Sequence, residues 1–100
     1  MHPHIQKIPE HELIYGLLRV LFPTARIILY GSRARGDNTE RSDIDIAIDA
    51  GAEQSIHLMA RARDVLDALY IPEKIDLIDF HYVTEEMRQQ IIQDGIEWIE

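Results

Sequence analysis

Residues 26–49 read RIILYGSRARGDNTERSDIDIAID, two strand-like runs that are separated by a glycine–serine pair and a charged loop. The first run, Arg26–Tyr30, is mostly apolar after Arg26 and ends at Gly31, which predicts a short strand. In the second run isoleucines alternate with aspartates, a period of two residues that is typical of a strand with one apolar and one acidic face. The link is too short for a helical crossover, unless Ser32 opens a short helical turn, so we expect an antiparallel pair.

The N-terminal part of the chain predicts one helix preceded by a loose arm. Pro9 suits the first position of a helix, and Pro23 ends the helical pattern. The apolar residues that recur at helical spacing are expected to form the buried face: Leu13, Leu17, Val20 and Leu21. Residues 1–8 are expected to be the loose arm.

The C-terminal half predicts two capped helices with a third strand between them. Ser55 suits the N-cap of a helix that extends to about Leu69, and Thr84 suits the N-cap of a helix that stops at Gly95. The run KIDLIDF, residues 74–80, predicts the strand. The inward side chains expected on the two helices are Ile56, Met59, Ala62, Leu66 and Leu69, then Met87, Ile91 and Ile92. The final IEWIE is compatible with an edge strand or a helical end.

This order of elements predicts a fold of the α/β (α+β) class, a sandwich with a small sheet packed by helices. A chain of 100 residues has room for one core, so we expect a single domain over residues 1–100. The 18 acidic and 10 basic residues give a net charge of −8, which argues against broad nucleic-acid binding. There is no cysteine, no apolar run long enough to span a membrane and no signal-peptide pattern, so we expect a cytoplasmic protein.

Three aspartates are candidate residues of a functional site. Asp43 and Asp45 are two residues apart, so on a strand both point to one face, about 6.6–7 Å apart along the backbone. Asp76 lies between apolar residues of the third strand, where a charge is unusual unless it faces solvent or a site. Carboxylates of this kind suit Mg²⁺ together with substrate phosphates. The alternative is a strand face that simply faces water.

The segment between the two strands suits phosphate groups. Gly31 lets the backbone turn sharply and approach a ligand, and Ser32 can offer its hydroxyl and nearby N–H groups to an anion. Arg33, Arg35 and Arg41 carry forked donors that match phosphate oxygens. A plain surface turn, with arginines that only offset local acidity, would explain each feature taken alone. The combination with three aspartates favours a nucleotide site.

The run GSRARG at residues 31–36, followed by SDIDI at 42–46, resembles the signature of the nucleotidyltransferase superfamily with the polymerase beta-like fold. It is more closely similar to the minimal nucleotidyltransferase (MNT) domain proteins, which are often encoded beside a HEPN-domain partner as a toxin–antitoxin pair. The resemblance covers nearly the whole chain, from the entry helix to the final helix. It implies the nucleotidyltransferase fold, with ATP as substrate and Mg²⁺ ions, expected to be two, as cofactors.

The resemblance also implies which residues do the work. Gly31 and Ser32 would hold the β- and γ-phosphates, with help from Arg33 and Arg35. The metal ligands would be Asp43, Asp45 and Asp76, and Asp76 is in addition a candidate general base. Asp79 competes with Asp76 for the third carboxylate, but three residues along a regular strand it would face the other way.

The reaction implied is transfer of AMP from ATP to a hydroxyl group. In the branch that is paired with HEPN proteins, the acceptor would be a tyrosine of the partner toxin, whose RNase activity is thereby silenced. Two alternatives stay open at this stage. The chain could be a non-catalytic antitoxin that neutralises its partner by forming a complex, or a nucleotidyltransferase subunit that acts on a small molecule.

Overall fold

The computed structural model describes residues 1–100, which form one four-stranded mixed sheet with helices packed on it. The strands are β1 (Arg26–Tyr30), β2 (Ile44–Asp49), β3 (Ile75–Asp79) and β4 (Ile96–Glu97), and their order in the sheet is β3-β2-β1-β4. The helices are α1 (Pro3–Gln6), α2 (His11–Leu21), α3 (Gly31–Arg35), α4 (Ile56–Asp67) and α5 (Glu85–Asp94). The predicted mixed sheet packed by helices is confirmed.

The register of the strands follows the sequence pattern. Strand β1 pairs antiparallel with β2, as expected from the short link, and that link does contain a helical turn, α3. Strand β3 pairs parallel with β2, because α4 lies between them in the chain and provides the crossover. The C-terminal tail forms β4, an edge strand that pairs antiparallel with β1.

Alternation along β2 divides the sheet into a core face and an open face. The side chains of Ile44, Ile46 and Ile48 are fully buried in a cluster of 18 residues that includes side chains of α1, α2 and α4. The opposite face has a smaller apolar cluster, in which Ile91 of α5 packs near β1. The acidic face of β2 is therefore covered only in part, and this uncovered part is where a site can form.

The expectation of a loose arm at residues 1–8 is wrong. These residues include α1, and the side chains of Ile5 and Ile8 are buried in the main core. The imidazole Nδ1 of His4 lies 3.0 Å from the carbonyl oxygen of Ala34 in α3, which ties the segment to the glycine–serine turn. The segment is too short to show a helical period, so the two isoleucines gave no signal in the sequence.

The helix caps are as predicted, but some buried faces are not. The hydroxyls of Ser55 and Thr84 accept backbone hydrogen bonds from the first turns of α4 and α5. Helix α2 buries Ile14 and Leu18, whereas several residues expected inside are exposed: Leu13, Val20, Ile56, Met87 and Ile92. Adjacent apolar pairs in α2 permit two helical phases, and packing against the sheet and α4 selects one of them.

Gly95 ends α5 as predicted, for a different reason. Its backbone is extended, with φ −67° and ψ 144°, instead of the left-handed conformation of a typical C-terminal glycine. A Cβ at this position would lie 2.7 Å from Cγ2 of Ile28, so close approach of the chain to β1 requires glycine. The turn leads directly into β4 and to Trp98, whose side chain is fully buried.

We predict that the N-terminal segment stabilises the fold. Ile5→Ala should lower the free energy of unfolding by about 2–4 kcal/mol, because it leaves a cavity in the main core. Val20→Ala removes apolar atoms from an exposed position of α2 and should change it by less than about 0.5 kcal/mol. Denaturant unfolding measures both values. Equal effects of the two substitutions would contradict the docked position of residues 1–8.

Candidate active site

Three side chains from adjacent strands stand in one row on the open face of the sheet. In the antiparallel register Tyr30 of β1 is opposite Asp45, and in the parallel register Asp45 is opposite Asp76 of β3. Directly paired residues point to the same face of a sheet, so the two carboxylates are neighbours. The predicted convergence of Asp45 and Asp76 is therefore present in the fold.

The glycine–serine turn closes one end of this row. Helix α3 begins at Gly31, whose φ of +74° lies in the left-handed region that favours glycine. A Cβ at this position would lie 3.2 Å from Cγ of Asp45, and its carboxylate oxygen Oδ2 would be closer still. Glycine thus allows the backbone to pass directly against the Asp45 carboxylate, and a ligand held by the turn would also lie next to that carboxylate.

Together these residues line a cleft of about 410 Å³. Its walls come from β1 with the start of α3, from β2 and β3, and from α5: Tyr30, Gly31, Ser32, Arg35, Asp45, Asp76, Met87 and Gln90. Five of the seven residues predicted for the site are in this list. The sequence did not predict that Gln90 lines the cleft. The face of α5 that meets the cleft is set by the packing of Ile91 near β1, which local sequence does not reveal.

The charges in the cleft repel one another. Burial, and then the negative charges of Asp76 and Asp43, raise the pKa of Asp45 to about 6. The positive charges of Arg35 and Arg33 act in the opposite direction, with a smaller effect. Burial, followed by Asp45 and Asp76, also raises the pKa of Tyr30, so its phenol is neutral. A divalent cation would relieve this repulsion.

Asp43 stands apart from the other two carboxylates. It directly precedes β2, is exposed and does not line the cleft. The ligand oxygens of Asp43, Asp45 and Asp76 do not all lie within 4.8 Å of one another. The charge of Asp43 nevertheless contributes to the raised pKa of Asp45, so it lies within electrostatic reach of the cleft.

Asp79 is on the other face of β3, as strand alternation predicts. Its carboxylate is buried and accepts backbone hydrogen bonds from Gln54 at 2.7 Å and from His81 at 3.0 Å. These bonds attach the segments before α4 and after β3 to the sheet. Asp79 is therefore a structural residue, and Asp76 is the aspartate of β3 that faces the cleft.

The two arginines of α3 have different positions. Arg33 is buried, and its guanidinium donates to the carbonyl oxygens of Ser42 and Glu40. It fastens the loop between α3 and β2 and does not line the cleft, contrary to the expectation that it faces a triphosphate. Arg35 does line the cleft.

Arg35 is held at the cleft by two carboxylates. Its Nε lies 3.1 Å from Asp37, and its Nη1 lies 3.1 Å from Asp94 at the end of α5. The hydrogen bonds that the guanidinium donates to Asp37 and then to Asp94 raise its pKa, although the group is charged in any case. Arg41 is exposed and its side chain makes no hydrogen bond or ion pair.

The donor set of the cleft suits Mg²⁺. Asp45 and Asp76 offer adjacent hard oxygen ligands, Asp43 offers a further carboxylate nearby, and there is no thiolate in the chain. The turn at Gly31 and Ser32, together with Arg35, offers donors for phosphate oxygens beside these ligands. This pairing of carboxylates with phosphate donors is the arrangement of an enzyme that transfers nucleotides with the help of metal ions.

The fold and the cleft thus define a nucleotidyltransferase. The chain belongs to the polymerase beta nucleotidyltransferase family (Polbeta), whose model matches residues 18–100. Among known proteins it is similar to a probable protein adenylyltransferase, MntA, of Haemophilus influenzae, with 29% identity over 87 residues. The match covers 85% of this chain and 75% of that protein.

The similar solved structures include toxin–antitoxin proteins. One is a crystal structure of a toxin–antitoxin with AMP-PNP, at 29% identity and a TM-score of 0.64, covering 93% of this chain and 75% of that one. Another is a tri-AMPylated Shewanella oneidensis HEPN toxin in complex with its MNT antitoxin, at 27% identity and a TM-score of 0.56. That match covers 89% of this chain and 69% of the other. None of the helices of the present chain has the length and apolarity needed to cross a membrane.

We predict that Gly31→Ala weakens nucleotide binding at least tenfold. The added Cβ must displace the Asp45 carboxylate and also strains a backbone with positive φ. Gly51→Ala is a matched control, because φ is +83° there and no atom lies within 4 Å of the added Cβ. Calorimetric titration with an ATP analogue and Mg²⁺ compares the two variants. If both weaken binding alike, backbone strain and not the approach to Asp45 is the cause.

We also predict a pH-dependent stability that Asp45 controls. Its pKa is about 6 in the folded chain and near 3.9 when unfolded, so between these values the folded chain binds more protons. The free energy of unfolding therefore falls as the pH rises from about 4 to 6, and the loss persists above pH 6.

The substitution Asp45→Asn removes this charge. With a chelator present, it should stabilise the chain by about 1 kcal/mol at pH 7.5, after allowance for solvent screening, and should have little effect at pH 4. Asp43→Asn, at an exposed position, should give a smaller gain. Denaturant unfolding at the two pH values provides the measurement. A gain for Asp45→Asn that is the same at both pH values would refute the electrostatic origin.

Proposed function

We propose that this chain, as a single nucleotidyltransferase domain over residues 1–100, transfers AMP from ATP to a hydroxyl group of a HEPN-domain partner protein. One observation carries the proposal: Asp45 and Asp76 are paired side by side next to the Gly31–Ser32 turn, in a member of a nucleotidyltransferase family. The similar proteins support the choice of acceptor, since they include an adenylyltransferase and an MNT antitoxin in complex with an AMPylated HEPN toxin.

The cleft residues divide into two groups in this proposal. Gly31, Ser32 and Arg35 hold the β- and γ-phosphates, because the turn and the guanidinium present donors at one end of the cleft. Asp45 and Asp76 hold Mg²⁺, with Asp43 as a further ligand. Bound Mg²⁺ would neutralise the charge that develops on the phosphate oxygens. Arg33 has a positioning role, since it fixes the loop that leads to Asp43.

The reaction is an in-line displacement at phosphorus. The acceptor oxygen forms a bond to the α-phosphorus while the bond from that phosphorus to the bridging oxygen of the β-phosphate breaks. Pyrophosphate leaves, and the proton of the hydroxyl passes to the carboxylate of Asp76. The protein contributes mainly position and charge, as is usual in phosphoryl transfer.

A cytoplasmic location stays a prediction.

The experiment that tests the function combines the chain, its HEPN partner, ATP and Mg²⁺, followed by intact mass of the partner. We expect the partner to gain the mass of AMP, and a tyrosine to carry it. Asp45→Asn and Asp76→Asn should each reduce the rate by at least about 100-fold, since each removes a ligand that counts in the transition state. Absence of any mass gain with the wild-type chain would favour neutralisation by complex formation instead.

Asp79→Asn is the matched control for Asp76→Asn on the same strand. Asp79 accepts two backbone hydrogen bonds on the opposite face, so its substitution should lower stability and leave the rate per folded molecule within about threefold. Circular dichroism of each variant gives the folded fraction. If Asp79→Asn abolishes transfer in folded protein and Asp76→Asn does not, the assignment of the third carboxylate is wrong.

A further inference from the structure

Strand β3 is the outer strand of the sheet on the side of the cleft, and part of its backbone is unpaired. Along β3, every second residue directs its backbone groups towards β2. The Ile44 N–H donates to the carbonyl of Lys74, and the Phe80 N–H donates to the carbonyl of Ile48, so the even-numbered residues of β3 face β2. The backbone groups of Ile75 and Leu77 therefore point away from the sheet. Among the outward-facing backbone groups of Ile75 and Leu77, only the Leu77 carbonyl accepts a side-chain hydrogen bond, from Nε of Arg63 at 3.0 Å.

A partly apolar groove of about 270 Å³ lies at this same edge, between α4 and the end of β3. Its apolar lining comes from Ile56 and Met59 of α4, from Ile78 of β3 and from Tyr82 beyond it. The side chains of Ile56 and Tyr82 are 72% and 68% exposed, respectively, so neither contributes much to the core. Exposed apolar side chains that line one groove are typical of an interaction site.

The groove and the candidate catalytic carboxylate lie on opposite faces of the same edge strand. Asp79 and Met59 line the groove on the face that packs against α4, whereas Asp76 lines the cleft on the other face of β3. The opposite side of the cleft is walled by α3 and α5, which supply Ser32, Arg35, Met87 and Gln90. No residue beyond β3 lines the cleft, so a macromolecular acceptor has room to approach over this edge.

We propose that the edge of β3 and the adjoining groove dock an extended segment of the protein acceptor. The segment would pair with the outward-facing backbone groups of Ile75 and with the N–H of Leu77, whose carbonyl already accepts from Arg63, and would place an apolar side chain in the groove. Its hydroxyl-bearing residue would then face Asp76. Since neighbouring side chains of a strand point to opposite faces, the hydroxyl residue over the cleft and the apolar residue in the groove would be adjacent in the segment. This inference rests on the proposed function, because it takes the acceptor to be a protein.

The charge of the chain further restricts the acceptor. With a net charge of −8, the chain favours an acceptor segment that carries positive charge, and long-range attraction would speed its encounter. A second copy of this chain, which has the same negative charge, is a poorer occupant of the edge. The proposed occupant is thus an extended, basic segment with one apolar anchor.

The test compares three exposed substitutions in the AMP-transfer assay with the HEPN partner. Ile56→Asp and Tyr82→Ser alter the groove, and Val20→Asp is the control, an equally exposed apolar residue on α2. The groove variants should raise the KM for the partner at least tenfold, while kcat at saturating partner and the affinity for the ATP analogue stay within about twofold. Val20→Asp should leave all three quantities within about twofold.

The outcomes separate this inference from the proposed function. If the wild-type chain transfers AMP and the groove variants behave like Val20→Asp, the docking surface is wrong and the function stands. If no AMP transfer occurs, the Kd for the partner without nucleotide is measured, and an unchanged Kd in Ile56→Asp overturns the docking surface as well.

Hydrogen exchange provides a second, independent measurement on the wild-type chain. Binding of the partner should slow exchange of the outward-facing amides of Ile75 and Leu77 relative to the free chain. Slowing of these two amides in the free chain that increases with the concentration of that chain would assign the edge to a second copy and overturn the proposal. Unchanged exchange on partner binding would also overturn it.

Discussion

The register between β2 and β3 is the constraint on which the cleft depends. In this register Asp45 is opposite Asp76, and the isoleucines of β2 stand beside Ile75 and Leu77 in the core. A slip of one residue would turn Asp76 towards the main core and Leu77 towards solvent. One pairing therefore serves two purposes, because the apolar face that fixes the register also fixes the distance between the carboxylates.

This arrangement has an energetic cost that the core offsets. The raised pKa of Asp45 follows from its partial burial and from charge repulsion by the neighbouring carboxylates of the cleft. Burial of Ile44, Ile46 and Ile48, each fully buried, contributes about 1.5–3 kcal/mol per side chain on the same strand. Strand β2 can thus carry self-repelling groups on one face because its other face is strongly apolar. Such local instability is common where a site is built for a ligand.

The sequence was sufficient for strands β1 to β3, the antiparallel link and the helix caps, because these depend on local patterns of period two and on capping residues. It left the C-terminal tail open between an edge strand and a helical end, and it did not establish that β3 lies beside β2. Alternation indicated that Asp76 and Asp79 face opposite ways, and the family resemblance favoured Asp76, which does line the cleft. The buried face of α2 did not, since adjacent apolar residues such as Leu13 and Ile14 fit either helical phase until the sheet is present.

The role of Arg33 and the docked position of residues 1–8 could not be predicted from the sequence, for a similar reason. Arg33 looks like a phosphate ligand in the sequence, but in the fold its donors are taken by loop carbonyls nearby. The buried positions of Ile5 and Ile8 depend on contacts with a core whose other members are far away in the chain. Neither the charge of a short segment nor the periodicity of its apolar residues predicts contacts with residues far away in the chain.

The contact of α1 with α3 has a practical meaning for anyone who handles this protein. The ring of His4 lies against the turn at Gly36, where an added Cβ would come within 2.9 Å of it, and the same ring contacts Ala34. The first residues of the chain are thus a structural support of the helix that opens the cleft. An affinity tag fused at Met1 would therefore be attached only a few residues from this support.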